Sequence, residues 1–98
     1  MIRREGAGIV VEGPLNLDSV TPLVERGAAM IAAGAASVDL AAATELDSSA
    51  VALLLEWTRR ARSAGRELAL VNAPEAFRSL VELYGVGPLL AFERTRAR

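Results

Sequence analysis

Cysteine and histidine are both missing from this chain of 98 residues. Their absence excludes disulfide bonds, thiolate nucleophiles, histidine general bases and the common zinc sites. Lysine is missing as well, so a serine nucleophile would have neither a histidine nor a lysine as its base. No glycine-rich segment leads from a strand into a helix, as a phosphate-binding loop requires. The sequence therefore predicts a protein with no enzymatic activity, no metal and no cofactor.

Aromatic residues and net charge are also scarce. Two Phe, one Tyr and one Trp are present, while 52% of the residues are hydrophobic, so the core must be built mainly from Ala, Val and Leu. The net charge of −1 provides no general attraction to nucleic acid or to an anionic membrane. The arginine clusters at 59–62 and 94–98 are expected to be solvated surface.

Long apolar runs are absent too. The first six residues, MIRREG, contain no apolar stretch typical of a signal peptide. The longest weakly polar run, 27–38, is well below the roughly 18–20 residues that span a bilayer. We expect a soluble cytoplasmic protein that does not insert into membranes, made of one domain over residues 1–98.

The most informative stretch is LDSSAVALLLEW, residues 46–57. Asp47, Ser48 and Ser49 are residue types that accept hydrogen bonds from the free N–H groups at the start of a helix. The spacing does not decide which serine is the cap. The helix is predicted to run to about Ala64, with Gly65 as its C-terminal stop.

The first half of this helix has too many apolar residues for one narrow stripe. One stripe contains Val51, Leu54, Leu55 and Thr58. Leu53 and Trp57 lie four residues apart, to the side of that stripe. Either the helix makes a wide contact with the core, or Leu53 belongs to a docking surface beside the serines.

The rest of the chain alternates short strands and helices. Predicted strands are 8–12, with 1–4 as a pairing candidate, then 36–40, 67–71 and 89–92; helices start near Thr21, Asp47 and Asn72. Thr21 or Ser19 is expected to cap the first helix, and Asn72 the third. Residues 41–45 are predicted to form a turn, and the tail, from about 91–93 to 98, is expected to fray. This order predicts an α/β fold with a mostly parallel sheet of four or five strands and three main helices.

In such sheets, binding sites gather where strands end and helices begin. Asp39, near the end of a predicted strand, and Asp47 are therefore expected to share one surface. These carboxylates either satisfy loop amides and caps only, or they accompany a hydroxyl at a helix N-terminus. A phosphate on Ser48 would be favoured by that helix end but would disrupt an adjacent apolar contact.

Asp-Ser-Ser followed by an Ala/Val/Leu helix and preceded by a strand ending in Asp-Leu resembles the STAS domain of anti-sigma-factor antagonists and sulfate transporters. The resemblance extends from the loop at Gly13 to Leu90. The end of the third helix, Leu83-Tyr84-Gly85-Val86, is most similar to the MlaB-like subgroup, the cytoplasmic subunits of Mla phospholipid-transport ABC complexes in Gram-negative bacteria.

The resemblance implies a STAS (SpoIIAA-like) fold, with helices largely on one side of the sheet, and no catalysis. It implies that the surface contacting the transporter ATPase contains Asp47, Ser48, Ser49 and Ala50, with Leu53 as an apolar anchor. Val24 occupies a position where some members have a large aromatic residue. The protein would then be peripheral to the inner membrane through this complex.

The alternative is an antagonist of an anti-sigma factor kinase. In such antagonists the hydroxyl after the motif Asp, which is Ser48 here, is phosphorylated. Ala50, where those proteins usually carry Gly, favours the ATPase-binding interpretation. A small-ligand sensor would need a cavity beside the central helix, which the Leu-dense sequence disfavours.

Overall fold

The computed structural model describes residues 1–93. The strands are β1 (Ile2–Glu5), β2 (Gly8–Pro14), β3 (Ser37–Thr44), β4 (Ala69–Val71) and β5 (Ala91–Phe92). The helices are α1 (Thr21–Ala32), α2 (Ser48–Ser63) and α3 (Glu75–Tyr84), with a short 3₁₀ turn at Gly87–Leu89. Among these residues, no helix has the length and apolar character needed to cross a bilayer.

The strands form one sheet in the order β1-β2-β3-β4-β5. β1 is antiparallel to β2, and the other neighbours are parallel. Each parallel crossover adds its strand on the same side, so the usual right-handed connection places all three helices on one face. Burial agrees with this, because Ile9, Val38 and Leu70 are fully buried while alternate residues on the opposite face are only partly covered. The predicted α/β class with helices on one side is confirmed.

The core lies between the sheet and the helices. Its largest fully buried side chains include Trp57 and Phe77. Trp57 lies under α1, where its indole Nε1 donates a hydrogen bond to the Val24 carbonyl at 3.1 Å. Gly27 faces the same ring, and a Cβ added there would lie 2.1 Å from Trp57 Cζ2. The close approach of α1 to α2 therefore depends on a missing side chain.

The central helix begins and ends where the sequence predicts, since α2 runs from Ser48 to Ser63 with Asp47 and Ala64 as its flanking residues. The predicted caps of the other helices are wrong. The residue before α1 is Val20, with no side-chain cap, while the Ser19 hydroxyl bonds within its own loop. α3 starts at Glu75, because Asn72 adopts a left-handed φ of 56° that cannot begin a helix.

Three strand predictions also differ from the structure. The strand predicted at 67–71 is limited to Ala69–Val71. Residues 41–44 continue β3 instead of turning, because Glu12, Gly13 and Pro14 extend β2 beyond a register shift and pair with residues 42–44. The last strand is shorter than predicted, since residues 87–89 form the 3₁₀ turn. Ala91 and Phe92 pair with β4 and are not part of a frayed tail; the rest of the predicted tail, 94–98, lies outside the described residues.

Candidate functional site

Asp47 holds the start of α2 in place. Its Oδ1 accepts a hydrogen bond from the backbone N–H of Ser49 at 2.8 Å, which is the geometry of an N-cap. Its Oδ2 accepts another from the N–H of Leu17 at 3.1 Å. One carboxylate therefore caps the helix and ties it to the loop between β2 and α1.

These contacts also set the charge of Asp47. Partial desolvation opposes its ionisation, but hydrogen bonds from the N–H groups of Leu17, Ser49 and Ala50 outweigh that effect and hold the pKa of the carboxyl below its usual value. Asp47 is thus an anion whose acceptor sites are used within the chain. Its role at the site is to position the serines.

Ser48 is the first residue of α2, and its side chain is exposed. Ser49 is half-buried, and its N–H is bound to Asp47. Glu45, three residues before Ser48, has a left-handed φ of 49°, which turns the chain from β3 towards the helix. The site thus presents the exposed Ser48 hydroxyl at a helix N-terminus.

Three other predicted site residues lie away from this surface. Ala50 is fully buried and Leu53 is 3% exposed, and both belong to the core. The expectation that they contribute to an exposed docking surface is wrong, because α2 makes the wide core contact that the sequence left open. Val24 is half-buried and packs against the core, with its carbonyl bound to Trp57.

A shallow groove of about 330 Å³ opens beside Ser48, between α2 and the end of α3. We call it the Ser48 groove; it is lined by Ser48, Val51, Ala52, Leu55, Tyr84 and Val86. Tyr84 is 49% exposed, and Leu17, whose backbone N–H is bound to Asp47, is 73% exposed. The serine is therefore flanked by apolar side chains that remain open to solvent.

Sequence reasoning misses these flanking residues. For Leu17, the signal in the sequence is that an apolar side chain stands alone in the polar loop 16–19. The site also lacks Asp39, which lies within β3 and not at its end. Asp39 Oδ1 instead accepts hydrogen bonds from the Ala41 N–H at 2.9 Å and from Asn72 Nδ2 at 3.3 Å. The prediction that the two aspartates share one surface is wrong, because Asp39 is paired within the sheet with Val10 and Val71, whereas Asp47 caps α2 beyond the end of β3.

In the C-terminal half of α2, an ion-pair network joins the helix to α1. Arg60 contacts Glu25 of α1 at 2.9 Å and Glu56 at 2.7 Å, and Arg59 contacts Glu56 at 2.6 Å. Hydrogen bonds from Arg59 and Arg60 lower the pKa of Glu56 to about 2. Within residues 1–93, no group of three or more carboxylates is arranged to hold a metal ion.

The sequence model of the family described as Mlab, STAS domain matches residues 2–91. This chain belongs to the Mlab-type STAS domain family. The resemblance to MlaB-like STAS domains is thereby confirmed. Membership in this family implies that the domain acts through contacts with other proteins.

Solved structures of STAS proteins share this fold. Unphosphorylated SpoIIAA, an anti-sigma factor antagonist, is 20% identical and matches with a TM-score of 0.71, over 96% of this chain and 87% of that one. A Thermotoga maritima protein described as a candidate anti-sigma factor antagonist is 14% identical, with a TM-score of 0.77 and coverage of 97% and 86%. The phosphorylated form of the Bacillus protein SpoIIAA is 20% identical, with a TM-score of 0.66 and coverage of 96% and 90%. No curated protein matches at a significant level.

Proposed function

We propose that this STAS domain is a non-enzymatic cytoplasmic subunit that binds the ATPase of an Mla-type phospholipid-transport ABC complex. It supports the assembly or activity of that complex and is peripheral to the inner membrane through it. Membership in the Mlab-type family supports the choice of partner.

The observation that carries the proposal is the setting of Ser48. An exposed hydroxyl lies at the end of an open apolar groove, and each oxygen of the carboxylate beside it accepts a hydrogen bond from a backbone N–H. Exposed apolar and aromatic side chains, with a polar group at their edge, are typical of a protein interface, which has an apolar core and a polar rim. It is a poor reaction centre, because a nucleophile needs an adjacent base.

A negative charge at this position should break the contact. A glutamate at 48 would be tolerated by the free protein, because acidic residues are favoured in the first turn of a helix. In the complex the same carboxylate would be buried against apolar groups without a partner, which costs several kcal/mol. The substitution therefore separates binding from folding.

The experiment is co-expression with an Mla-type ATPase subunit, followed by purification through a tag on the ATPase. The wild-type chain should copurify, and Ser48→Glu should be lost, a fall in affinity of roughly 100-fold or more. Ser79→Glu is the matched control, since Ser79 is exposed on α3 and does not line the groove. Full recovery of the Ser48→Glu chain with the ATPase would contradict the proposed site.

A second function is favoured by the accessibility of the same hydroxyl. The chain would be an antagonist that is switched by an anti-sigma factor kinase through phosphorylation of Ser48, and its structural neighbours include SpoIIAA in a phosphorylated form. Incubation with such a kinase and ATP, followed by intact-mass measurement, decides the matter. Stoichiometric phosphoserine at position 48 would favour this function, whereas no modification would favour the ATPase subunit.

A further inference from the structure

Two arginines from distant parts of the sequence meet at the C-terminal end of α1. Arg4 belongs to β1, and Arg66 follows the end of α2. Arg4 Nη1 donates a hydrogen bond to the Met30 carbonyl at 3.4 Å, and Arg66 Nη2 donates one to the Ile31 carbonyl. The last carbonyls of a helix carry partial negative charge, so the end of α1 holds both guanidinium groups in place.

Each arginine has a terminal nitrogen that these contacts do not use. The Nε of Arg4 donates to the Gly6 carbonyl at 2.7 Å, which leaves Nη2 as its remaining nitrogen. Arg66 donates through Nη2, and its Nη1 has no hydrogen-bond partner among residues 1–93. Neither arginine forms an ion pair within the same residues. Because a guanidinium has five N–H donors and no acceptor, each can bind a further acceptor from outside the chain.

The two remaining nitrogens face the same place. A Cβ added to Gly34 would lie 3.9 Å from Arg4 Nη2 and 4.0 Å from Arg66 Nη1. Apart from Gly34 and its neighbours along the chain, no other atom of the described residues lies within 4 Å of that point. Gly34 has a φ of 111°, a conformation suited to glycine, and its missing side chain leaves this place open. The result is an open space that is bordered by two guanidinium nitrogens and by no carboxylate.

We propose that Arg4 and Arg66 form a binding site for a phosphate group, which we call the Arg4–Arg66 site. Charge-assisted N–H···O bonds are about 2.7–2.9 Å long, so two oxygens of one tetrahedral anion can reach both nitrogens. Arginine stays charged at physiological pH, and its planar group matches the geometry of phosphate. A bound anion would also offset the repulsion between the two like charges. The same chemistry fits free phosphate and the phosphate of a lipid headgroup, which the experiments below separate.

The Arg4–Arg66 site is distant from Ser48. Ser48 begins α2, whereas Arg66 lies beyond the other end of that helix. With 16 residues at 1.5 Å each, α2 is about 24 Å long. The proposal therefore does not depend on the function proposed for Ser48, and it is tested with the purified chain alone.

Titration with inorganic phosphate, followed by ¹H–¹⁵N NMR, locates the site. The amide signals of Gly34 and Arg66 and the Nε–Hε signal of Arg4 should shift with one dissociation constant of about 1 mM or lower. Sodium chloride at equal ionic strength is the reference, because it screens charges to the same extent. The start of α2 is the competing place for an anion, since helix N-termini favour negative charge. Shifts at 47–49 with none at Gly34 and Arg66 would overturn the proposal.

Substitutions test the two guanidinium groups. Arg4→Gln and Arg66→Gln should each weaken phosphate binding about tenfold or more, because each removes charge-assisted hydrogen bonds. Arg66→Lys keeps the charge but loses the planar fork, so it should bind several-fold more weakly than wild type while disturbing the end of α1 less. Arg26→Gln is the matched control, since Arg26 is exposed on α1 and forms no ion pair within residues 1–93. Its dissociation constant should stay within about twofold of wild type. Unchanged binding in all of the Arg4 and Arg66 variants would overturn the proposal.

Vesicles distinguish the two sources of phosphate. Retention on phosphatidylglycerol vesicles but not on phosphatidylcholine vesicles, with loss of retention in the Arg4→Gln/Arg66→Gln variant, would assign the site to a lipid headgroup. Binding of inorganic phosphate without retention on vesicles would assign it to a free phosphate group. A chain that shows neither NMR shifts with phosphate nor retention on vesicles would overturn the proposal and leave the function proposed for Ser48 unaffected.

Discussion

Replacing Gly27 with alanine tests how closely α1 packs on α2. Alanine normally stabilises a helix interior by about 1 kcal/mol relative to glycine. Here the new Cβ would lie 2.1 Å from Cζ2 and 2.2 Å from Cε2 of Trp57, against an ordinary contact distance of at least 3.4 Å. The helix or the indole must therefore move by more than about 1 Å.

A shift of the helix or of the indole costs stability, because both are held by packing and by a hydrogen bond. The Trp57 ring is fully buried and hydrogen-bonded to the Val24 carbonyl, and it is rigid beyond its two side-chain torsions. Overpacking of a core costs typically 1–3 kcal/mol and occasionally more. A clash at the upper end of that range costs about 3 kcal/mol. The gain in helix propensity returns about 1 kcal/mol, so we expect Gly27→Ala to destabilise the protein by about 2 kcal/mol.

Urea denaturation followed by circular dichroism measures this difference. Ala29→Gly, at an exposed position of the same helix, should lower the free energy of unfolding by about 1 kcal/mol. This value measures the difference in helix propensity between alanine and glycine without a packing change. Trp57→Phe removes the atoms that clash, so the double variant Gly27→Ala/Trp57→Phe should be more stable than the sum of the two single effects predicts. A Gly27→Ala chain as stable as wild type, or more stable, would refute this packing.

Three further predictions concern α2 and its cap. Thr58→Val should stabilise the protein by about 1 kcal/mol in urea denaturation, because the buried Oγ1 of Thr58 has no hydrogen-bond partner within residues 1–93; a loss of stability would show that the hydroxyl is satisfied. Asp47→Ala should lower the Tm by several degrees, because it removes the helix cap and the hydrogen bond to the β2–α1 loop. Asp47→Asn, which can still accept a hydrogen bond, should lower the Tm by less. Equal losses of Tm in the two variants would show that the hydrogen bonds contribute nothing. The pKa of Glu56, about 2 in the folded protein against 4.5 normally, means that its contribution to stability is present above about pH 4.5 and is lost as the pH falls towards 2. Melting curves between pH 5 and 2 should therefore fall more steeply for wild type than for Glu56→Gln, and identical slopes would contradict the network with Arg59 and Arg60.

The elements predicted well from the sequence are those with strong local signals. The capping residue and the dense apolar run predict the bounds of α2 to within a residue. The alternation of strands and helices predicts the α/β fold class. β3 was predicted too short because the Ala-rich stretch 41–43 has low strand propensity, and its pairing with β2 is a tertiary effect. The cap of the third helix was predicted wrongly because Asn72 has a left-handed backbone conformation that spacing does not reveal, whereas the end of that helix at Gly85 agrees with the prediction.

The candidate site was predicted in part, for a related reason. Asp47 and Ser48 are adjacent in sequence, and a local motif was sufficient to find them. Periodicity leaves Leu53 open between the core and a docking surface because it does not show how wide a face the sheet and α1 cover, and the role of apolar anchor is implied only by the family resemblance. Tyr84 and Leu17 reach the site from other elements, so only the tertiary fold brings them beside the motif.

Hydrogen–deuterium exchange of the chain, alone and bound to an Mla-type ATPase subunit, tests the central claim most directly. The amides of segments 15–20 and 45–47 lie beside the exposed serine and belong to irregular structure, where exchange in the free protein is fast enough to measure. Protection of both segments in the complex, with no change across the open face of the sheet, is the predicted result. Protection of the open face with unchanged exchange at 45–47 would contradict the account.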